Sequence, residues 1–167
     1  MDAAAVKFRE KGFSGIGVDA IASHADVTTG AIYSQFQSKD ALFYEVTEEG
    51  LQRLAAGLER FKESKSEDWI AQFATYYLSK EHVEAVGTGC GLPTLSIDVG
   101  RADKSAQQAF NEGLHQAASV ISTDSEEQKK AMLVLATLLG AVVLARATGN
   151  DQLRRDLLEA FLHSLDT

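Results

Sequence analysis

Apolar residues recur at intervals of three or four positions along most of the chain, with polar residues between them. This spacing gathers the apolar side chains on one face of an α-helix. Glycine residues and short polar joints interrupt the pattern and mark the ends of the predicted helices. The chain has one proline and is rich in strong helix formers such as leucine, alanine and glutamate. The pattern therefore predicts an all-α protein.

The N-terminal part of the chain contains three short predicted helices. The first extends from residue 2 to residue 11, where Gly12 ends it. The second follows Gly17, and the third starts after Thr28, which is a good N-cap residue. A tight turn over residues 25–27 joins the second helix to the third. Helix-turn-helix proteins use this layout to place one helix in the DNA major groove.

The turn and the third helix determine which side chains face outward. We expect Asp26 to adopt a left-handed backbone conformation, which aspartate tolerates better than most residues. Ile32 and Phe36 are four positions apart on the third helix, so we predict that both point to the core. The opposite, outer side of the helix is then formed by Thr29, Gly30 and Tyr33.

A long helix from Ser38 to about residue 61 has no break and connects two predicted domains rigidly. We assign residues 1–45 to a helix-turn-helix DNA-binding domain and residues 46–167 to a ligand-binding and dimerisation domain. Within the second domain, we interpret the charged segment from Asp98 to Asp103 as a solvated region near a helix end.

Two helices near the C-terminus are predicted to be the dimerisation surface. The apolar run from Ala131 to Ala147 is slightly short for a membrane-spanning helix, so we predict a buried helix and no membrane contact. The helices near residues 126–148 and 151–165 carry more apolar surface than one subunit can cover. Pairing them across a two-fold axis would form a four-helix interface, and we therefore expect a homodimer.

Negative charge is the main argument against DNA binding. The formal net charge is −8, and residues 1–50 contain four basic and eight acidic side chains. Because neutralisation of phosphates supplies most non-specific affinity for DNA, an acidic DNA-binding domain must place its few cations well. Because of this negative charge, a second interpretation remains, in which the protein is a helical ligand-binding dimer that has lost its affinity for DNA.

A pattern of residues near the N-terminus points to a known family. Its members are Gly12, Phe13, Ile21, Ala22, Ala25, Val27, Thr28, Gly30, Ile32, Tyr33, Phe36, Lys39, Asp40 and Leu42. This pattern resembles the N-terminal domain of the TetR/AcrR family of bacterial one-component repressors. Gly17 stands where the family usually has serine or threonine, Asp26 replaces a turn glycine, and Gln35 replaces histidine or tyrosine. The later helices agree with the family only in number and order.

The resemblance implies a homodimeric, ligand-responsive repressor that a small apolar or amphipathic effector releases from a palindromic operator in double-stranded DNA. Thr28 and Tyr33 would contact phosphates, and Lys39 would hold a phosphate together with the free amides of a helix N-terminus. Thr29, Gly30 and Gln35 would contact the bases or the DNA backbone next to them. The plain alternatives are a surface aromatic at Tyr33 and a simple helix cap at Thr28.

A predicted helix over residues 67–79 is rich in aromatic side chains. Tyrosine hydroxyls and a tryptophan N–H suit an apolar pocket with a few polar groups, although plain core packing is the more common use of such residues. Together with the family resemblance they indicate an effector pocket. Its predicted lining residues are Trp69, Phe73, Tyr76, Tyr77, Phe110 and Leu114.

Other candidates for chemistry are few. Cys90 is the one cysteine, which excludes an intrachain disulfide and suits the reducing cytoplasm. It lies near a predicted helix start, so an electrophile or oxidant sensor, or the nucleophile of a small helical enzyme, is an alternative to a small buried residue. The four histidines lack the spacing of metal ligands. We predict no catalytic residue, metal or cofactor, and, since no basic-then-apolar leader opens the chain, a cytoplasmic protein.

Overall fold

The computed structural model describes residues 1–64 and 66–165, without the side chain of Ser125. Within these residues the chain forms ten α-helices and no β-strand, which confirms the all-α prediction. The helices are α1 (Asp2–Lys11), α2 (Val18–His24), α3 (Thr29–Phe36), α4 (Lys39–Lys62), α5 (Trp69–Tyr77), α6 (Lys80–Glu84), α7 (Leu92–Val99), α8 (Lys104–Ile121), α9 (Ser125–Thr148) and α10 (Asp151–Leu165).

One cluster of buried apolar residues, here called the head core, joins the first three helices to α4 and α7. Phe8 of α1, Ile21 of α2 and Phe36 of α3 belong to it, together with Phe43 of α4. Leu95 of α7 lies in the same cluster, although α7 is far along the chain. The N-terminal helices therefore pack directly on a helix of the second predicted domain.

The ends of the head helices follow their capping residues. Thr28 caps α3 and Ser38 caps α4, each accepting a hydrogen bond from the backbone N–H three residues on. Asp26 has a φ of 54°, which confirms its predicted left-handed conformation. Gln37, with a φ of 62°, is a second left-handed residue that the sequence pattern did not predict.

A second cluster, here called the body core, contains residues of every helix from α4 to α10. Helix α4 passes through both clusters, since Val46 belongs to the head core and Leu51 to the body core. The predicted domain boundary between residues 45 and 46 thus falls within a continuous helix. A displacement of α4 would therefore alter the packing of both the head core and the body core.

Helix α9 has one buried face and one exposed apolar face. Leu135 and Val142 are buried in the body core, whereas Leu133 is 67% exposed and Leu144 is 50% exposed. By length and composition Glu126–Thr148 could cross a membrane, a test that core helices of soluble proteins also pass. Because its inner face completes the body core, we interpret α9 as a core helix with an uncovered outer stripe.

Candidate nucleic-acid interface and effector cavity

Helix α3 presents its two faces to different surroundings. Ile32 and Phe36 are buried in the head core, as their spacing predicted. On the other face Gly30 is exposed and Tyr33 is 46% exposed, while Gln35 is exposed at the side, next to a pocket that Ile32 and Phe36 also line. This outer face is therefore free to contact another molecule along the length of the helix.

The two threonines at the start of α3 also take part in the fold. The Thr28 hydroxyl oxygen accepts a hydrogen bond from the backbone N–H of Ala31 at 3.1 Å, which leaves its O–H available to donate outward. The Thr29 hydroxyl donates to Asp19 Oδ1 at 2.8 Å and so joins α3 to α2. Of the two, Thr28 retains the free donor that a phosphate contact requires.

Lys39 is held above an aromatic ring at the N-terminus of α4. Its Nζ atom lies 4.3 Å from the centroid of the Phe13 ring, within the range of a cation–π interaction. The Phe13 ring in turn packs against Phe43, with 5.0 Å between ring centroids. This support keeps a flexible ammonium beside the positive end of α4, where anions are favoured. Phe13 was not predicted to support the site, although it is part of the family pattern.

The backbone of α3 is bare at Gly30. A Cβ atom there would lie 3.8 Å from Thr28 Oγ1, an ordinary van der Waals distance. The fold itself would therefore accept a side chain at this position. The missing side chain instead leaves the backbone open to close approach from outside.

A cavity of about 500 Å³ lies between α4, α5 and the loop that follows α6. Phe73, Tyr76 and Tyr77, three of the six residues predicted to line an effector pocket, form part of its wall. The loop contributes Cys90, and α1 contributes Arg9. The volume matches that of pockets which bind small organic ligands.

The other three predicted pocket residues lie away from this cavity. Trp69 and Leu114 pack against the body core, and Phe110 lines a smaller pocket beside Leu51. Helix α8 approaches α4 so closely that a Cβ atom at Gly113 would lie 2.6 Å from the Leu51 side chain. This close packing keeps Phe110 and Leu114 out of the cavity that they were predicted to line.

His82 ties the cavity loop to α5. Its Nδ1 atom lies 2.6 Å from the carbonyl oxygen of Tyr77, and its Nε2 atom accepts a hydrogen bond from the Cys90 backbone N–H at 3.2 Å. A carbonyl can only accept, so the neutral ring carries its proton on Nδ1. Burial lowers the pKa of His82, which favours the same neutral form. The neutral His82 ring therefore stabilises the cavity wall through hydrogen bonds to both α5 and the cavity loop.

Burial also sets the protonation of two neighbouring groups. It raises the pKa of the Cys90 thiol and raises the pKa of Tyr77 well above its ordinary value. A protonated thiol is a weak nucleophile, so this environment does not activate the half-buried Cys90 for a sensing or catalytic role. Among the described residues, no group of three or more histidine, cysteine, aspartate or glutamate side chains could hold a metal ion.

The fold is that of several solved bacterial regulators. Escherichia coli NemR in its reduced form superimposes with a TM-score of 0.77 at 19% identity, over 96% of this chain and 93% of that one. A TetR transcriptional regulator from Legionella pneumophila gives 0.78 at 19% identity, over 96% and 92%. Bacillus subtilis FadR in complex with stearoyl-CoA gives 0.66 at 18% identity, over 96% and 95%. At these identities the likeness shows a common fold.

Residues 1–46 match the family model of bacterial regulatory proteins of the tetR family. This N-terminal segment is therefore of the tetR family type. The match confirms the resemblance seen in the sequence and covers the turn, α3 and the first turns of α4. No curated protein sequence matches the chain significantly.

Two departures from the TetR pattern change the local chemistry. Gly17 caps α2 without a side-chain hydrogen bond, so the hydroxyl that serine or threonine would supply is missing. Asp26 is exposed and holds, with a φ of 54°, the left-handed position that a glycine would adopt more easily. The turn before the outer face of α3 therefore carries an additional negative charge.

Two hydrogen bonds join the TetR-type head to the body. The Phe13 backbone N–H donates to Asp98 Oδ2 at 2.7 Å, across 85 positions of sequence. The Tyr44 hydroxyl donates to Asp103 Oδ2 at 3.2 Å. The interpretation of residues 98–103 as a solvated region is therefore wrong for Asp98, which is an acceptor fixed between the two parts of the molecule.

Proposed function

We propose that the protein is a homodimeric repressor that binds a palindromic operator in double-stranded DNA and is released by a small apolar or amphipathic effector. The observation that carries this proposal is the outer face of α3, exposed along its length while Ile32 and Phe36 anchor the inner face. A helix held in this way suits insertion into the major groove. A protein with this role acts in the bacterial cytoplasm, where its operator is.

The residues divide by the contact that each would make. Thr28, Tyr33 and Lys39 would meet phosphates, since each has a donor at or near the surface. Gln35 and the bare backbone at Gly30 would face the bases. The Thr29 hydroxyl is engaged by α2, so this residue would contribute through van der Waals contact of its methyl group with a base.

The outer stripe of α9 would form the dimer interface together with α10. Leu133, Val143 and Leu144 are exposed large apolar residues on α9. Leu165 is an exposed apolar residue at the end of α10. A two-fold pairing of these helices would cover the stripe and set two copies of α3 at fixed spacing for two half-sites.

Regulation would follow from the connection between the cavity and the head. The cavity loop ends at α7, which contributes Leu95 to the head core and Asp98 to the hydrogen bond with Phe13. An effector that favours one position of α7 and α4 would therefore change the relative populations of DNA-binding and released states. The FadR structure with stearoyl-CoA supports an amphipathic effector for this fold.

The DNA flanking the gene of this protein is the ligand to test first. We expect saturable binding in a fluorescence anisotropy titration, with an affinity that falls steeply as salt rises. Lys39→Ala should reduce the slope of log Kd against log salt by about one, because one phosphate contact is lost. Lys80→Ala removes a lysine from α6, away from the head, and should leave the slope unchanged.

An unchanged slope in Lys39→Ala would remove Lys39 from the phosphate contacts. Absence of any specific binding by the wild-type protein would favour the second candidate, a ligand-binding dimer without DNA affinity. The excess of acidic side chains in residues 1–50 is the observation on the side of that candidate.

Substitution of Asp26 should strengthen DNA binding. Asp26→Asn removes the negative charge, and Asp26→Gly removes the charge and also relieves the strain of the left-handed backbone. Both should raise the affinity for DNA at low salt by up to about fivefold. This factor corresponds to about 1 kcal/mol, the interaction energy of two charges about 4 Å apart in water. Of the two variants, only Asp26→Gly should also raise the melting temperature of the protein. If Asp26→Asn binds no better than wild type at any salt concentration, Asp26 does not face phosphates.

A further inference from the structure

The cavity wall is cationic as well as aromatic. Arg9 of α1 and both Arg53 and Arg60 of α4 line it, whereas none of its described lining residues is aspartate or glutamate. This imbalance stands out in a chain with a formal net charge of −8. The charge at this cavity is therefore opposite in sign to that of the molecule as a whole.

Arg9 is the most buried of the three cations. Its side chain belongs to a residue that is only 4% exposed, and Nη1 donates to the Gly87 carbonyl oxygen at 3.2 Å. Its Nε atom has no hydrogen-bond partner among the described residues, and no described carboxylate forms an ion pair with it. An arginine does not lose its proton in a protein, so a buried and unpaired positive charge remains, which is costly.

The surroundings make room for Arg9 but do not neutralise it. A Cβ atom at Gly91 would lie 2.9 Å from Nε, so the absence of a side chain at Gly91 allows the guanidinium to lie there. Burial and repulsion from Arg53 lower the pKa of Arg9, and they outweigh the attraction to Cys90, Glu49 and Asp2, none of which pairs with it directly. Arg53 is paired with Glu49 and Asp2, while Arg60 has no ion-pair partner among the described residues. An anion in the cavity would relieve this excess of positive charge.

The rest of the wall is apolar and partly flat. The Tyr76 ring lies 5.6 Å from Phe61 and 5.4 Å from His82, measured between centroids, and half of Tyr76 remains exposed. Leu54, Ala56 and Phe73 add apolar surface. Such a wall suits a ring or a short alkyl chain rather than a small inorganic ion.

We propose that the cavity binds an organic anion whose carboxylate or phosphate pairs with Arg9, while an apolar body of about the size of one or two rings lies against Phe73 and Tyr76. Arg60 attracts the anion from the mouth of the cavity. This names the chemical class of the effector and therefore rests on the proposed function. Neutral apolar molecules of the same shape leave Arg9 unpaired and bind more weakly.

The position of Arg9 also connects the anion to the head. Arg9 lies on α1, next to Phe8 of the head core, and its guanidinium reaches the cavity loop at Gly87. A bound anion would compete with Gly87 for the guanidinium and so bias the position of α1. If the anion changes the affinity for the operator by some factor, binding of the operator changes the affinity for the anion by the same factor.

Isothermal titration calorimetry with matched pairs of probes tests the proposal. The anions are 2-naphthoate, indole-3-acetate and decanoate, and each is compared with its neutral amide. We expect at least one anion to bind about tenfold or more tightly than its amide, as a charge-assisted hydrogen bond supplies. Titration of 2-naphthyl phosphate beside 2-naphthoate shows which anionic group is preferred.

Two variants locate the preference. In Arg9→Met, which keeps a side chain of similar length, the anion should bind no more tightly than the amide, whose own affinity stays within about twofold of wild type. Arg60→Gln, a surface change, should weaken anion binding by a smaller factor, and Lys104→Gln, at an exposed position of α8, should have no effect. The proposal is overturned if no anion binds more tightly than its amide, or if the preference for the anion survives in Arg9→Met.

The same protein titrated with the DNA flanking its gene separates this proposal from the proposed function. Anion preference without DNA binding would refute the repressor and leave the anion site standing. DNA binding without anion preference would refute the anion site and leave the repressor standing. Circular dichroism of each variant confirms that a loss of binding is not a loss of fold.

Discussion

Replacing Gly140 with glutamate is expected to separate the proposed dimer into monomers and to lower affinity for the proposed operator by about 100-fold or more. Gly140 lies on the outer stripe of α9, one turn before Leu144, and a Cβ atom there would contact no described atom within 4 Å. The subunit therefore has room for the side chain and gains roughly 0.5 kcal/mol of helix propensity. In the dimer the carboxylate would be buried against an apolar partner, which costs several kcal/mol.

Sedimentation equilibrium gives the dimer dissociation constant, and anisotropy with a palindromic fragment gives the operator affinity. Asn111→Glu places the same charge on an exposed position of α8 and should change neither quantity. The melting temperature of the Gly140→Glu monomer shows that the subunit still folds. A Gly140→Glu protein that remains a dimer would place the interface outside the stripe of α9.

Phe43→Ala should reduce the free energy of unfolding by about 3–5 kcal/mol, the usual loss for a fully buried phenylalanine. Phe43 is buried in the head core, and its ring packs edge-on against Phe8 at 5.4 Å and against Phe13 at 5.0 Å. Its removal leaves a cavity under the ring that supports Lys39. We therefore expect weaker DNA binding even at temperatures where Phe43→Ala is folded.

Urea denaturation followed by circular dichroism measures this loss, at one protein concentration because dimer stability depends on concentration. Tyr76→Ala removes an aromatic ring of similar size that is half exposed, and should cost much less. A loss in Phe43→Ala no greater than that in Tyr76→Ala would show that the head core does not depend on the aromatic cluster.

The sequence was most informative where interactions are local. Ile32 and Phe36 face the core because they are one helical turn apart, and Thr28 caps α3 because its side chain reaches the backbone N–H three residues on. Asp26 is left-handed because a tight turn between two helices requires it. Each of these features depends on neighbours within a few positions. The contacts of Tyr33, Gln35 and Lys39 with DNA remain predictions.

The sequence was least informative about the cavity. An aromatic pattern identified Phe73, Tyr76 and Tyr77, which lie on one helix, but it could not show that α8 packs tightly on α4 and keeps Phe110 and Leu114 away. Arg9 was counted only as one of the few basic residues of the head. Its position in the cavity wall depends on α1 meeting a loop that lies 78 residues further along the chain.

By itself, the order of residues determined the helices, their caps, the buried and outer faces of α3 and the family of the N-terminal domain, because hydrophobic periodicity and capping act over one or two turns. Only the tertiary structure decided that Asp98 holds the Phe13 backbone, that Gly113 brings α8 against α4, and that Arg9 enters the cavity. Those contacts join residues far apart in sequence. Their geometry arises from the packing of whole helices, which no local pattern encodes.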